Sequence, residues 1–238
     1  MAECRGKISP ILMSDNARKL YDYVKDLPII DYHCHLSPKE IYEDIPFDNI
    51  GEMWLAVDHY KWRLMRAAVI DEKYITGSVD YKQKYLKFAQ ALSTAFGNPI
   101  YDWVRLELAK FFGIDTPLTP DTAEGIWDKC NAFIKNNKLS PRSTIAMAGV
   151  EYIATTDDPS DDLSYHKLLR QQGYGVVVAP SFRTDNIVDV DAAGYGDYLK
   201  KLSAAAGIKI QNLSELEEAL TRRLDYFGSL GGKFSDVV

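Results

Sequence analysis

Cysteine is scarce: the 238 residues hold only Cys4, Cys34 and Cys130. Their wide spacing and odd number argue against a disulfide framework, and a reducing, cytoplasmic setting is expected. Basic charge is also in deficit, with 28 Lys and Arg against 34 Asp and Glu and a formal net charge of -6. Lacking a general basic surface, the chain is a poor partner for nucleic acid or an anionic membrane, and a small molecule is the better fit. No apolar run approaches the ~20 residues of a membrane span. The N-terminal stretch carries Arg5 and Lys7 but no apolar run before Pro10 and no small-residue cleavage pattern, so no secretory signal is read there. Also missing are a phosphate-binding lysine loop, a dinucleotide glycine fingerprint and a nucleophile elbow, and Gly231-Gly232 reads as an ordinary loop. No nucleotide cofactor is therefore expected.

What is present is an ordinary globular composition, 46% hydrophobic and 26% charged, long enough to bury a real core. Ser14 is a candidate N-cap for a helix carrying Ala17, Leu20, Tyr21 and Val24 on one face and stopped by Pro28; this helix is expected to cover one end of a barrel. Leu27 to His35 runs as an apolar strand that turns polar at its C-terminal end, where parallel sheets place chemistry. From Ser37 to Gly149 the pattern is helix after helix. Asn98-Pro99 and Thr119-Pro120 both read as N-cap plus first helical residue, and three or four helices are expected over the barrel mouth. Strand character returns at Val150 to Thr155 and at Gly175 to Ala179, separated by a helix from about Asp162 to Gln172 that Gly173 stops. Helices follow at about Gly194 to Ala206 and after Asn212. In the second, Ser214 and Glu217 form a capping box, Leu213, Leu216, Leu220, Leu224 and Phe227 form the buried face, and Gly228 ends it. Lys233 to Asp236 is a candidate last strand.

This order predicts an α/β fold: the first strands of a (β/α)8 barrel, interrupted by a large helical insertion. Its parts are expected at residues 1–36 for the first helix and strand, 37–149 for the insertion and 150–238 for further βα units. A complete barrel needs eight strands in ~250 residues before large insertions are added. Three or four strands cannot close one, so the chain is a fragment, a half-barrel that needs a partner, or a smaller fold.

Asp31-Tyr-His33-Cys-His35 is the sharpest chemical feature. Residues two apart on a strand face the same way, so His33 and His35 point together and Cys34 points to the other layer. Two imidazoles can share a divalent ion, with zinc the first choice and manganese or iron the others; the competing reading is a hydrogen-bonded histidine pair. Zinc would want a third protein ligand besides. In Val57 to Arg66, the residues His59, Tyr60, Arg63 and Arg66 could bind a carboxylate. The same stretch also reads as an amphipathic helix that packs Trp62, Leu64 and Met65 while its charges are solvated. Arg183 follows a strand in a Pro-Ser-Phe-Arg turn, either overhanging the same mouth or lying on a surface loop. Thr155-Thr-Asp-Asp-Pro159 reads as turn and cap chemistry. Asp236 alone carries no message.

Four stretches together carry a resemblance: Asp31 to Leu36, Asp58 to Arg66 with Ile75-Thr-Gly77, Ala154 to Pro159, and Pro180 to Asp185. In this order they are similar to the uronate (glucuronate) isomerases, divergent members of the amidohydrolase superfamily. The resemblance implies conversion of D-glucuronate to D-fructuronate, or D-galacturonate to D-tagaturonate, by proton transfer through an enediol-like intermediate. It implies a metal on His33 and His35, contacts to the substrate carboxylate from His59 and Tyr60, Arg183 as a substrate ligand, and catalysis by Asp236 and Arg183. The family usually follows the aspartate with histidine where this chain has Val237. Members also run to nearly twice this length, their later strands adding further His, Arg and Asp site residues. Weak or absent turnover is therefore expected of the chain alone, with a complementary C-terminal half or a second copy as partner. A metal-dependent hydrolase and a non-catalytic assembly module are the alternatives.

Overall fold

The computed structural model describes Leu12 and residues 14–237. Cys4, Arg5, Lys7 and Pro10, on which the cysteine and signal readings partly rest, lie outside the described residues. The chain begins with α1 (Asp15–Val24), β1 (Ile29–Cys34) and α2 (Pro38–Glu43). A helical run follows: α3 (Ile50–Leu55), α4 (His59–Ala67), α5 (Tyr81–Leu92), α6 (Pro99–Phe112), α7 (Ala123–Asn137) and α8 (Pro141–Ala148). Next come β2 (Val150–Asp157), α9 (Ser164–Gln171), β3 (Val177–Arg183), α10 (Asp185–Val188), α11 (Tyr195–Ala206), α12 (Leu213–Ser229) and β4 (Ser235–Asp236). Two compact units result: a helical one holding α1 and Ile45–Met147, and a strand unit of Leu27–Asp44 and Ala148–Val238.

The helical unit is built from short capped helices. Asn49 accepts from Glu52 N–H at 2.8 Å while Glu52 reaches back to Asp48 N–H at 2.8 Å, satisfying two donors at the start of α3. Asp58 caps α4 by accepting from the N–H groups of Tyr60 and Lys61. Asn98 and Pro99 start α6 as expected. Thr119-Pro120 does not start α7: Thr122 Oγ1 donates to Pro117 O at 2.7 Å and accepts from Thr119 N–H at 2.9 Å. That turn delays the helix to Ala123. The core centres on Trp54, Tyr85 and Phe88, all buried, with Trp127 packed beside Tyr85 at 5.1 Å. In α4, Leu64 and Met65 are buried, and Trp62 donates its Nε1–H to Leu55 O. Lys61 is buried too, which a solvated charged face does not explain. Its ammonium lies 2.8 Å from Asp58 and 3.4 Å from Glu107; burial works against its charge, but the two carboxylates outweigh it and raise the Lys61 pKa. α1 takes the predicted Ser14 cap at 3.1 Å, yet none of its residues is buried and Leu20 and Val24 are exposed.

In the strand unit β1 to β4 form one sheet in sequence order, every pair parallel. Four consecutive parallel strands with helical crossovers make half of a (β/α)8 barrel. β3 starts later than expected and runs through Pro180 to Arg183, so Arg183 ends a strand instead of sitting in a turn. The N–H groups of Phe182 and Thr184 donate to Phe234 O and Asp236 O on the β4 side. By the period of two, the N–H that Pro180 lacks would face the same side, before the short β4 begins, so no ladder bond is lost. The outer sheet face packs Phe182 against Phe227 of α12 at 5.0 Å, with Leu163 completing the cluster.

α12 is rotated relative to its apolar pattern. Asn212, not Ser214, is the N-cap, accepting from Glu215 N–H at 3.0 Å, and Leu213 and Leu224 are exposed. Of the expected face Phe227 is buried, and Ala219 and Arg223 join it. Arg223 sets this rotation: its guanidinium donates to Pro159 O, Ala205 O and Asp161 O at 2.6, 3.2 and 2.6 Å. A buried cation with three carbonyl partners is tolerated where an unpaired one would not be.

Candidate active site

The C-terminal ends of β1, β3 and β4 bring four of the six expected residues together. A register irregularity between Asp31 and Cys34 sets the end of β1, and Thr156 Oγ1 of β2 donates to Cys34 O at 3.0 Å, fixing it. Cys34 is half-buried. Its Sγ accepts from Leu36 N–H at 3.3 Å, and burial pushes its thiol up to about 11.

His33 and His35 meet edge to face, their Nε2 atoms 3.1 Å apart. That separation fits a hydrogen bond between one protonated and one bare nitrogen. It also fits two ligands of one ion, since bonds of ~2.0–2.1 Å would enclose an angle of roughly 100°. The other nitrogen of His33, Nδ1, lies 3.3 Å from Asp236 Oδ2. A carboxylate there favours the Nδ1–H tautomer, which leaves Nε2 as a lone-pair donor. Among the described residues no group of three His, Cys, Asp or Glu side chains is arranged for a metal. The histidines therefore suit an ion as two of its ligands.

Arg183 and Asp236 are register partners on β3 and β4. Arg183 Nη1 lies 3.6 Å from Asp236 Oδ2, while its Nε donates to Asp185 at the start of α10. Asp236 Oδ2 is buried and makes no hydrogen bond despite the nearby cation and imidazole. It stands beside a cleft of about 410 Å³ lined also by Tyr32, His33, Ser181 and Phe234. A buried carboxylate oxygen with no hydrogen bond has acceptor capacity to offer a ligand.

His59 and Tyr60 belong to the helical unit, on the first turn of α4. Their rings lie 4.5 Å apart and Tyr60 is about half exposed. Arg63 approaches the Tyr60 ring at 5.8 Å, and Arg66 pairs with Glu72, so the cations of this stretch already have neighbours within their own unit.

A polar cluster behind the sheet went unread in the sequence. Thr155 Oγ1 donates to Asp157 Oδ2 at 2.6 Å and meets His166 Nε2 of α9 at 2.8 Å. All three are buried. Burial raises Asp157 to about 6 and lowers His166 to about 4, each moving toward its neutral form. The signal available was the Thr155-x-Asp157 alternation, which puts both on one face of β2. Asp157 had been read as turn chemistry, and His166 carries no motif.

Comparison with known proteins supplies the family. A model of the glucuronate isomerase family matches residues 8–238. The uronate isomerase of Latilactobacillus sakei is 44% identical over 233 residues, covering 95% of this chain and 50% of that protein. The crystal structure of a uronate isomerase from Thermotoga maritima superposes with a TM-score of 0.89 at 35% identity, covering 96% of this chain and 50% of that one. Glucuronate isomerase from Caulobacter crescentus gives a TM-score of 0.85 at 25% identity, with 92% and 47% covered. The chain spans about half the length of the curated relatives it matches. No helix among the described residues is long and apolar enough to cross a membrane.

Proposed function

Because the chain belongs to the glucuronate isomerase family, we propose that its strand unit carries part of a site for the aldose–ketose isomerisation of a uronate, D-glucuronate to D-fructuronate or D-galacturonate to D-tagaturonate. The observation that carries this reading is the meeting of His33, His35, Arg183 and Asp236 at the C-terminal strand ends, the face where barrel enzymes place their chemistry.

The reaction moves a carbonyl from C1 to C2. One carbon-bound proton leaves C2 as O1 gains a proton, an enediol-like species forms, and a proton returns to C1 as the O2 hydroxyl proton is released, so that protons balance. Asp236 is the base in this scheme, taking the proton and giving it back, so that it ends as it began. Its buried Oδ2, without a hydrogen bond, is the acceptor the step requires. Arg183 faces the oxygens on which negative charge develops and stabilises it more in the transition state than in the substrate. His33 and His35 would hold a divalent metal, zinc first, which when bound supplies a positive charge that polarises and orients the sugar oxygens. His59 and Tyr60 keep the role the family resemblance gives them, contacts to the sugar carboxylate, which serves as a handle and not as a reacting group.

Four strands supply only half of a closed barrel, so the isolated chain should turn over weakly or not at all; a complementary C-terminal half is its partner in this reading. The test is to follow ketose formation from D-glucuronate by the zinc-supplemented chain, alone and mixed with the C-terminal half of a full-length relative. Ketose appearing in the mixture supports the proposal. If a stoichiometric complex forms and makes no ketose from either uronate, the reading is wrong.

A further inference from the structure

Ser181 lines the same cleft as Asp236, and packing does not explain its hydroxyl. It is 2% exposed, and its Oγ is fully buried without a hydrogen-bond partner. An unpaired buried hydroxyl costs roughly 1–3 kcal/mol, and alanine, the residue found two positions earlier at Ala179, would fill the same place without that cost. The strand period puts Ser181 on the same face as Arg183, and register pairs it with Thr156 of β2. Ser181, His33 and Asp236 are lining residues of one cleft. The Ser181 backbone is held in the parallel ladder between β2 and β3, opposite Thr156. The hydroxyl is therefore presented from a fixed position on a central strand.

We propose that Ser181 is a substrate-binding residue whose hydroxyl exchanges a hydrogen bond with a hydroxyl of the sugar chain, next to the carbon that Asp236 addresses. This rests on the uronate reading above. Serine both donates and accepts, matching the dual character of a sugar hydroxyl, whereas the neighbouring Asp236 carboxylate can only accept. Together they offer complementary partners to adjacent hydroxyls of a polyhydroxy acid. A purely structural serine would show the opposite balance: removing its hydroxyl would stabilise the fold and leave ligand binding alone.

The experiment is calorimetric titration with D-glucuronate of the zinc-supplemented chain assembled with the C-terminal half of a full-length relative, for wild type, Ser181→Ala and Ser181→Thr, together with each chain's thermal midpoint. We expect Ser181→Ala to bind roughly 3- to 10-fold more weakly, the loss of one neutral hydrogen bond, at an unchanged or higher midpoint. Ser181→Thr, which keeps the hydroxyl, should recover most of the affinity. Equal affinity in wild type and Ser181→Ala overturns the role of Ser181 and leaves the uronate site standing. No binding by the wild-type assembly, where the stoichiometric complex has formed, overturns the uronate reading and this inference with it.

Discussion

In the helical unit Tyr85, Phe88, Leu92 and Val104 are at most 1% exposed, whereas on β1 of the strand unit Ile30 and Tyr32 are 55% and 68% exposed. The first unit closes an apolar core around its aromatic rings. The second packs one face of its sheet through Phe182, Phe227 and Leu163 and gathers imidazole, guanidinium, carboxylate and hydroxyl groups at its strand ends. Large buried side chains give the helical unit stability that scales with apolar area removed from water. The strand unit uses comparable positions for groups that a ligand would complete.

Substitutions can break this contrast. The largest stability effect is expected at Phe88→Ala, which should cost about 3–5 kcal/mol by cavity formation, while Ile30→Ala on the open strand should stay within about 0.5 kcal/mol. Urea unfolding of both variants measures the difference, and similar losses would mean that β1 is packed more tightly than its exposure implies. At the site, Arg183→Lys keeps the charge but removes the guanidinium fork. In an active assembly it should lower turnover by about 100-fold, or ~2.7 kcal/mol, with little change in thermal stability.

A smaller effect separates the polar cluster behind the sheet from the apolar core. Asp157 holds its proton more tightly in the fold, its pKa rising from 3.8 to about 6, so its contribution to stability falls as pH rises through that window. His166 holds its proton less tightly, shifted from 6.5 to about 4, so its contribution falls as pH drops through nearly the same window. The two slopes oppose, and the net contribution of this pair should be nearly flat between about pH 4 and 6. Asp157→Asn leaves His166 alone and should lose about 2–3 kcal/mol on acidification from pH 6.5 to 4. Denaturation midpoints across that range provide the check; a flat profile in the variant would mean that the two groups do not oppose each other.

Much of this was legible in the sequence because the strand period speaks directly about direction. Asp31 to His35 gave the shared side of the two histidines, whose Nε2 atoms meet. The βα order gave a parallel half-barrel, and Asn98-Pro99 gave a helix start. What failed depended on tertiary partners. Pro180 reads as the end of a strand, but its missing donor falls where the neighbouring strand has not begun. Leu213 and Leu224 fit an apolar stripe, but the three carbonyls gathered by Arg223 turned α12 away from it. Thr122 displaced Thr119 through a bond to Pro117, a contact that no helix pattern encodes. Asp157, His166 and Ser181 carry no local motif, since what distinguishes them is burial.

The central claim is that His33 and His35 act together as a metal pair at the end of β1. Zinc titration against a competing chromophoric chelator tests it on the chain as it stands, comparing wild type with the double variant His33→Ala, His35→Ala. The account predicts one zinc per wild-type chain and at least a 100-fold loss of affinity in the double variant, beyond the 10- to 100-fold that loss of an outer-shell partner costs. Equal zinc affinity in the two proteins would contradict it.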